Sequence, residues 1–153
     1  MRLNLGASDR AIPGFVSVDI APPADVIADL SQPWPWETGS VDEVVAFDIF
    51  EHLPNRIFTM NELHRVLKPG AVATIEVPNA AKGAGQWQDP THVSQWCMNS
   101  WQYFEAGSFA RNRLARSYGI TAAFRILELS ESEYRDVREP VWKIRVRLEA
   151  VKV

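Results

Sequence analysis

The chain has 153 residues, 46% of them hydrophobic and 23% charged, which is typical of one globular domain large enough to bury a core. Its net charge of −3 gives no basic surplus for a phosphate backbone, so nucleic acid is not an expected partner. No apolar run approaches the ~20 residues of a membrane helix, and no signal-peptide core follows the N-terminus. We expect a single domain over residues 1–153, away from membranes.

The cysteine content indicates the redox compartment. The one cysteine, Cys97, excludes an internal disulfide. A chain without disulfides fits a reducing compartment, and we therefore expect a cytoplasmic protein.

Five short apolar runs, separated by turns, predict strands in the first half of the chain. They cover residues 2–5, 15–20, 25–30, 41–47 and 71–77. Short strands that are apolar along their whole length are typical of a parallel sheet covered on both faces. We therefore expect an α/β fold.

One clear helix is predicted between the fourth and fifth strands, over residues 55–67. Apolar residues recur there at helical spacing, Asn55 can cap its start, and Lys68-Pro69-Gly70 ends it. A strand, a helix and a strand within ~30 residues predict a crossover connection. His64 stands among polar neighbours on this helix and is expected on its solvated face.

The second half of the chain begins with a loop and returns to strands. Residues 78–95 show little periodicity, and a loop of that length in a compact domain is usually functional. A short helix is predicted at residues 99–106, followed by strands at 124–129 and 141–153. The last run alternates apolar and charged residues, as in an antiparallel strand with one wet face. The predicted sheet is mostly parallel and ends in a C-terminal antiparallel hairpin.

The ends of the first four strands carry a glycine or an acid. Gly6 follows the first strand, Asp19 and Asp29 end the second and third, and Asp48 follows the fourth. Open α/β sheets bind ligands at this edge, where a carboxylate on the second strand can accept from ribose hydroxyls. The structural alternatives are a plain glycine turn and an aspartate in the turn before Pro22-Pro23.

Taken in chain order, these residues resemble the class I S-adenosylmethionine-dependent methyltransferases, from Leu3 to about Phe104. The most specific parts of the resemblance are Glu51-His52-Leu53 and the run from Arg65 to Gly70. The resemblance implies a Rossmann-like three-layer sandwich and S-adenosyl-L-methionine as the cofactor. It also implies methyl transfer to an unidentified small-molecule or glycan acceptor.

The resemblance assigns five residues to the methionine half of the cofactor. Leu5, Gly6 and Ala7 would lie against the methionine chain. Phe47 and Asp48 would form the floor near the sulfonium and the amino group.

Four further residues are assigned to the adenosine half. Asp19 would hold the ribose hydroxyls, and Ile20 would pack on the adenine ring. Asp29 would meet the adenine amine, with Leu30 beside it.

The candidate catalytic residues are histidines and acids expected near the transferred methyl group. A general base helps when the acceptor is a hydroxyl or a protonated amine. His52, with Glu51 beside it, follows the fourth strand. Asp89 and His92 belong to an Asp-Pro-Thr-His segment of the long loop that related family members share, which suggests a substrate or closure role. Helix capping by His52 and a proline-fixed turn are the structural alternatives.

Departures from the family pattern favour a second interpretation, a non-catalytic S-adenosylmethionine-binding or accessory module of the same fold. Ala7 and Ser8 stand where further glycines are usual, and residues 6–14 are too few for a crossover helix. A second subunit, as in a homodimer, could cover a cofactor site that is shortened in this way.

Other chemistries remain as alternatives. A nucleotide-sugar or dinucleotide enzyme would share Gly6 and Asp19, but the G-x-G-x-x-G fingerprint is absent. A metal site built from Asp48, His52, Asp89 and His92 matches no standard ligand spacing, so no metal is predicted. Nothing in the sequence marks an activating base for Cys97 as a nucleophile.

Overall fold

The computed structural model describes residues 1–135 and 137–152, and within these ranges seven strands form one mixed sheet. The strands are β1 (Arg2–Leu5), β2 (Val16–Asp19), β3 (Val26–Ile27), β4 (Val41–Phe47), β5 (Leu67–Gly83), β6 (Phe124–Tyr134) and β7 (Val141–Ala150). Their order across the sheet is β3-β2-β1-β4-β5-β7-β6. The first five pair in parallel, while β7 runs antiparallel between β5 and β6. The prediction of a mostly parallel sheet with a C-terminal antiparallel hairpin is confirmed.

The helix between β4 and β5 is confirmed as α1 (Arg56–Val66). The Asn55 side chain caps it by accepting from the Phe58 N–H at 3.0 Å. Its buried residues include Met60 and Leu63, which join the core under the sheet. Because Leu67 is already extended, β5 begins as soon as the helix ends.

A second helix, α2 (Phe109–Tyr118), was not predicted. Ser108 caps its start, and Gly119 ends it in the left-handed conformation at φ +72°. None of its residues is buried, so it contributes little to the core, and its few apolar residues were not recognised as a helix in the sequence. The short helix expected at residues 99–106 is a 3-10 helix at Met98–Tyr103.

Five predicted strands differ in length from those observed: β2 is shorter by one residue at each end, and β7 ends at Ala150. β3 is only two residues long because Asp25, expected inside it, turns back to accept from the backbone and hydroxyl of Ser17. β5 is longer because it pairs with β4 from Leu67 and with β7 as far as Gly83, and β6 is longer because it pairs with β7 as far as Tyr134. The burial of alternate residues along β7 confirms its one wet face. The predicted end of this strand at Val153 lies outside the described residues.

Loops rather than helices connect β1 to β2, β2 to β3 and β3 to β4 in the described chain. The loop before β4 covers the core with two buried tryptophans, Trp34 and Trp36, whose rings meet edge to face. Arg65 of α1 holds this loop by donating to the carbonyls of both tryptophans, at 3.0 and 2.7 Å. The helical layer of the expected sandwich is therefore thin on this half of the sheet.

The expectation for His64 is corrected by the structure. Its Nε2 lies 2.9 Å from the carbonyl oxygen of Val151, and its ring meets Phe124 edge to face. Burial lowers the pKa of His64. The residue is a packing residue between α1 and the C-terminal strands, because its ring reaches past the polar neighbours beside it.

Among the described helices, none combines the length and apolar character needed to cross a membrane.

Candidate functional site

A cleft of about 350 Å³ opens at the carboxyl ends of β1 and β2. Its volume lies within the range of small-ligand sites. Five of the nine residues assigned to the cofactor line it. They are Gly6, Asp19, Ile20, Asp29 and Leu30. The structure therefore brings the predicted adenosine-binding residues together.

A second cavity of about 220 Å³ adjoins this cleft, since Gly6 lines both. Ala7 and Phe47 line it as assigned, and Arg10 completes the wall. Leu5 is different: its side chain is fully buried in the core and lines neither cavity.

The glycine turn after β1 depends on the absence of a side chain at Gly6. Its φ is +65°, and a Cβ there would lie 2.6 Å from the Cβ of Ile49. No side chain fits that gap, and the positive φ is itself unfavourable for one. The turn after β1 therefore requires glycine at this position, where the segment after β4 lies against it.

Asp19 connects the glycine turn to the tip of β2. One carboxylate oxygen accepts from the Ser8 N–H at 2.8 Å, and the other accepts from the Ile20 N–H at 2.7 Å. Two ionised oxygens offer about four acceptor positions, so the carboxylate can accept further hydrogen bonds. Asp19 is thus a fixed acceptor at the cleft wall, as expected for a residue that binds a diol.

Asp29 and Ile20 form the outer part of the cleft. Asp29 accepts from the hydroxyl and N–H of Ser31, at 2.7 and 2.9 Å, and the hydroxyl bond is the main cause that lowers the pKa of Asp29. The side chain of Ile20 is 69% exposed, which is high for an isoleucine. A flat apolar ring bound against Ile20 would remove that surface from water.

Asp48 lies in a third cavity, of about 250 Å³, which shares His52 with the cleft at the ends of β1 and β2. Its backbone has a positive φ of 57°, and its carboxylate pairs with Lys143 at 2.7 Å and with Arg10 at 3.9 Å. No sequence pattern marks Lys143 as a site residue, because only the pairing of β5 with β7 brings it here.

Glu51 lies at the bottom of the third cavity. It is 1% exposed, and burial raises the pKa of its carboxyl to about 8. Among the described residues, its Oε2 has no hydrogen-bond partner. Its Oε1 faces Nε2 of His92 across 3.9 Å. A buried acid with an unpartnered oxygen is costly unless a ligand or ion pairs with it.

The Asp-Pro-Thr-His segment folds against His52. Asp89 accepts from the hydroxyl of Thr91 at 2.6 Å and from its N–H at 2.8 Å, and the hydroxyl bond lowers the pKa of Asp89. Thr91 in turn meets Nδ1 of His52 through its carbonyl oxygen at 3.2 Å and its hydroxyl at 3.1 Å. The long loop therefore joins the β4 end of the site, as the sequence suggested.

The two histidines face each other in this cavity. The ring centres of His52 and His92 lie 4.8 Å apart and the planes are nearly perpendicular. Nε2 of His92 is also 3.6 Å from Asp89. All three residues named as catalytic candidates, His52, Asp89 and His92, line the same cavity with Glu51. Cys97 lies instead beside Ser100, with 3.6 Å between sulfur and hydroxyl oxygen.

Known proteins resemble this chain in one stretch of its sequence and in its fold. A family model described as a methyltransferase domain matches residues 14–75, from before β2 into β5. No curated protein matches the chain in sequence. The fold is similar to that of an S-adenosylmethionine-dependent methyltransferase from Methanosarcina mazei, at TM-score 0.61, 14% identity and coverage of 99% of this chain and 92% of that one.

Two further solved structures share the fold. One is an S-adenosylmethionine-dependent methyltransferase from Archaeoglobus fulgidus, at TM-score 0.65 and 12% identity, covering 97% of this chain and 85% of that one. The other is the Burkholderia thailandensis 1,6-didemethyltoxoflavin-N1-methyltransferase, with its substrate and S-adenosylhomocysteine bound. It matches at TM-score 0.64 and 12% identity and covers 99% of this chain and 71% of that one. Residues 14–75 thus match a methyltransferase domain, and the whole chain shares the fold of these S-adenosylmethionine-dependent methyltransferases.

Proposed function

We propose that the protein transfers a methyl group from S-adenosylmethionine to a polar small-molecule or glycan acceptor. We call the cleft at the ends of β1 and β2 the cofactor cleft. The observation that carries this proposal is the position of His52, which lines both the cofactor cleft and the third cavity. Methyl transfer is an in-line displacement, so donor and acceptor must meet at one point. His52 stands where the two cavities meet, and we call the third cavity the acceptor cavity.

The adenosine half of the cofactor fits the larger cleft. Asp19 would accept from the ribose hydroxyls with the oxygen capacity that Ser8 and Ile20 leave free. Asp29 would accept from the adenine amine, and the exposed Ile20 would cover the ring.

The methionine half fits the adjoining cavity, which Arg10 lines; the Asp48 carboxylate, in the third cavity, lies 3.9 Å from Arg10. Arg10 would hold the carboxylate, and Asp48 would hold the amino group. When bound, S-adenosylmethionine supplies an already activated methyl group, so the protein mainly aligns the reactants and excludes water.

On the acceptor side, His52 is the proposed proton acceptor. Its Nδ1 faces a carbonyl oxygen, which can only accept, so Nδ1 carries the proton and Nε2 is free to take one. Thr91 holds the ring in that orientation, and Asp89 holds Thr91. His92 packs across the ring of His52 and completes this group.

The lining of the acceptor cavity indicates a polar acceptor. Acids, two histidines, a lysine and a glutamine line it, and an exposed tryptophan lies next to it. Gln88 lines both the acceptor cavity and a neighbouring groove that contains Trp87, which is 66% exposed. An exposed indole beside polar groups suits a sugar ring, and this favours a glycan among the acceptors.

Binding is the first test of this proposal. Isothermal titration with S-adenosylhomocysteine should give saturable heat at one site per chain, and the thermal midpoint should rise with ligand concentration. Absence of both effects would reject the proposed function.

The second candidate is a non-catalytic binding or accessory module, favoured by the Lys143–Asp48 ion pair and the thin cover of the cleft. Cofactor binding without turnover on a broad acceptor panel would support it. Turnover on any acceptor would exclude it.

Location and assembly belong to this proposal as well. The lone cysteine supports a cytoplasmic protein. The exposed Ile20 and Ile27 near the cleft support a homodimer as a second source of cover.

A further inference from the structure

We propose that Glu51, His52 and His92 form a binding site for a divalent transition-metal ion of the zinc class, with Asp89 as a fourth ligand. One possible ligand atom from each of the first three residues lies within 4.8 Å of the others. The sequence predicted no metal, because the spacing of these residues fits no ligand motif. The site arises only when the long loop folds back onto the segment after β4.

The distances within the cluster are close to those of a bound metal. Ligand atoms around tetrahedral zinc, each about 2.0–2.1 Å from the ion, lie about 3.4 Å from one another. Nε2 of His92 already lies 3.6 Å from Asp89 Oδ2 and 3.9 Å from Glu51 Oε1. The largest separation in the cluster, up to 4.8 Å, would have to shorten by side-chain rotation when the ion binds.

Both imidazoles are held as metal-binding histidines are. Nδ1 of His92 lies 3.1 Å from the carbonyl oxygen of Gln86, and Nδ1 of His52 lies 3.2 Å from that of Thr91. Each carbonyl fixes a proton on Nδ1 and leaves Nε2 with a lone pair. A carbonyl behind Nδ1 is the usual outer partner of a histidine that ligates through Nε2.

The charges in the cavity also call for a cation. Nε2 of His92, with its lone pair, lies 3.6 Å from Oδ2 of Asp89, so two acceptors face each other. Glu51 is almost fully buried, and its Oε2 has no partner in the described part of the chain. Lys143 is the cation that lines this cavity, and it is paired with Asp48. A divalent ion would satisfy the unpartnered oxygen and separate the facing acceptors.

The ligand set indicates the class of metal. Two imidazoles with one or two carboxylates suit Zn²⁺, Co²⁺, Mn²⁺ or Fe²⁺, whereas Mg²⁺ and Ca²⁺ prefer oxygen ligands. The ion would occupy the Nε2 lone pair of His52, so in the metal-bound protein it would orient and acidify an acceptor hydroxyl as a Lewis acid in place of proton acceptance by His52; that use rests on the proposed function. Metal binding itself does not rest on it.

The test is a titration of the chelator-treated, dialysed protein with Co²⁺ and with Zn²⁺, without cofactor or acceptor. We expect one Co²⁺ per chain, with visible absorption bands of a low-symmetry nitrogen–oxygen site that Zn²⁺ abolishes by competition. Glu51→Gln, which keeps the shape of the side chain, and His92→Ala should each weaken binding by more than the roughly 10–100-fold loss typical of an outer partner. His64→Gln is the matched control, since this histidine lies outside the cavity and should leave binding unchanged.

Two results would overturn the proposal. One is binding in the wild-type protein no tighter than in His92→Ala. The other is binding that Glu51→Gln and His92→Ala leave intact while His64→Gln reduces it. Circular dichroism on every variant separates loss of the site from loss of the fold. Titration of S-adenosylhomocysteine into the metal-free protein tests the proposed function separately, so one can fail without the other.

Discussion

Nζ of Lys143 lies 2.7 Å from Oδ2 of Asp48, although 95 residues separate them in the chain. This ion pair joins β7 to the turn after β4. It also occupies the carboxylate that the family resemblance assigns to the amino group of the cofactor. Lysine and cofactor would therefore compete for one anion.

Replacing the lysine tests that competition. Lys143→Met should tighten binding of S-adenosylhomocysteine by about 5-fold, because Asp48 would be free to pair with the ligand and a partly exposed ion pair contributes up to about 1 kcal/mol. Isothermal titration measures the change. Lys82→Met is the control, since that lysine pairs with Glu131 away from the cleft. Weaker binding in Lys143→Met would mean that Lys143 assists the ligand.

Asp19 should be the most important side chain for cofactor binding. Asp19→Asn loses the charge and should weaken S-adenosylhomocysteine binding by roughly 10–100-fold, the value of one charged hydrogen bond. Asp9→Asn, a nearby acid that lines none of the three cavities, should bind normally. Equal affinities in titrations of the two variants would remove Asp19 from the site.

The glycine turn offers a matched pair of substitutions. Gly6 and Gly39 have similar φ values, +65° and +67°, but a Cβ would collide with Ile49 only at Gly6, whereas at Gly39 it meets nothing within 4 Å. Gly39→Ala should cost about 1 kcal/mol of unfolding free energy from backbone strain, and Gly6→Ala several kcal/mol. Urea denaturation compares them. Equal losses of unfolding free energy in the two variants would show that the segment around Ile49 moves to make room for the Cβ at little cost.

The contact between Glu62 and Arg65 predicts a pH dependence of stability. The hydrogen bond from Arg65 is the main cause that lowers the pKa of Glu62, whose carboxylate also accepts from the Trp34 N–H. A lowered pKa gives stability that is present above the unfolded-state value, about 4.3, and is lost as the pH falls through the folded-state value. Glu62→Gln should be less stable than wild type by about 1 kcal/mol at pH 7.

That difference should shrink as denaturation is repeated at more acidic pH, because the wild-type carboxyl becomes neutral there. A difference independent of pH would assign the effect of Glu62 to packing.

Local signals in the sequence were enough to predict which strand ends meet at the cleft beyond β1 and β2. Gly6, Asp19 and Asp29 each follow or end an apolar run, and parallel pairing alone brings such strand ends together. The strands at Arg2–Leu5 and Val41–Phe47 were predicted with their observed bounds for the same reason.

The rest of the site depends on contacts between distant segments. His92 reaches Glu51 only after the long loop folds back, and Lys143 reaches Asp48 only through the β5–β7 pairing. Neither contact leaves a periodic pattern in the sequence. The cover of the core on this half of the sheet was equally hard to predict. Two buried tryptophans in a loop lie there, where a helix was expected.

The central claim is that methyl donor and acceptor meet at His52. The most direct measurement follows label transfer from isotopically labelled S-adenosylmethionine to a panel of polar small molecules and glycans, with wild type and His52→Ala in parallel. We predict labelled product with the wild type and a loss of about 100-fold or more in kcat for the variant, with little change in S-adenosylhomocysteine affinity. Unchanged kcat in His52→Ala, or no product from a wild type that binds the cofactor, would contradict the account.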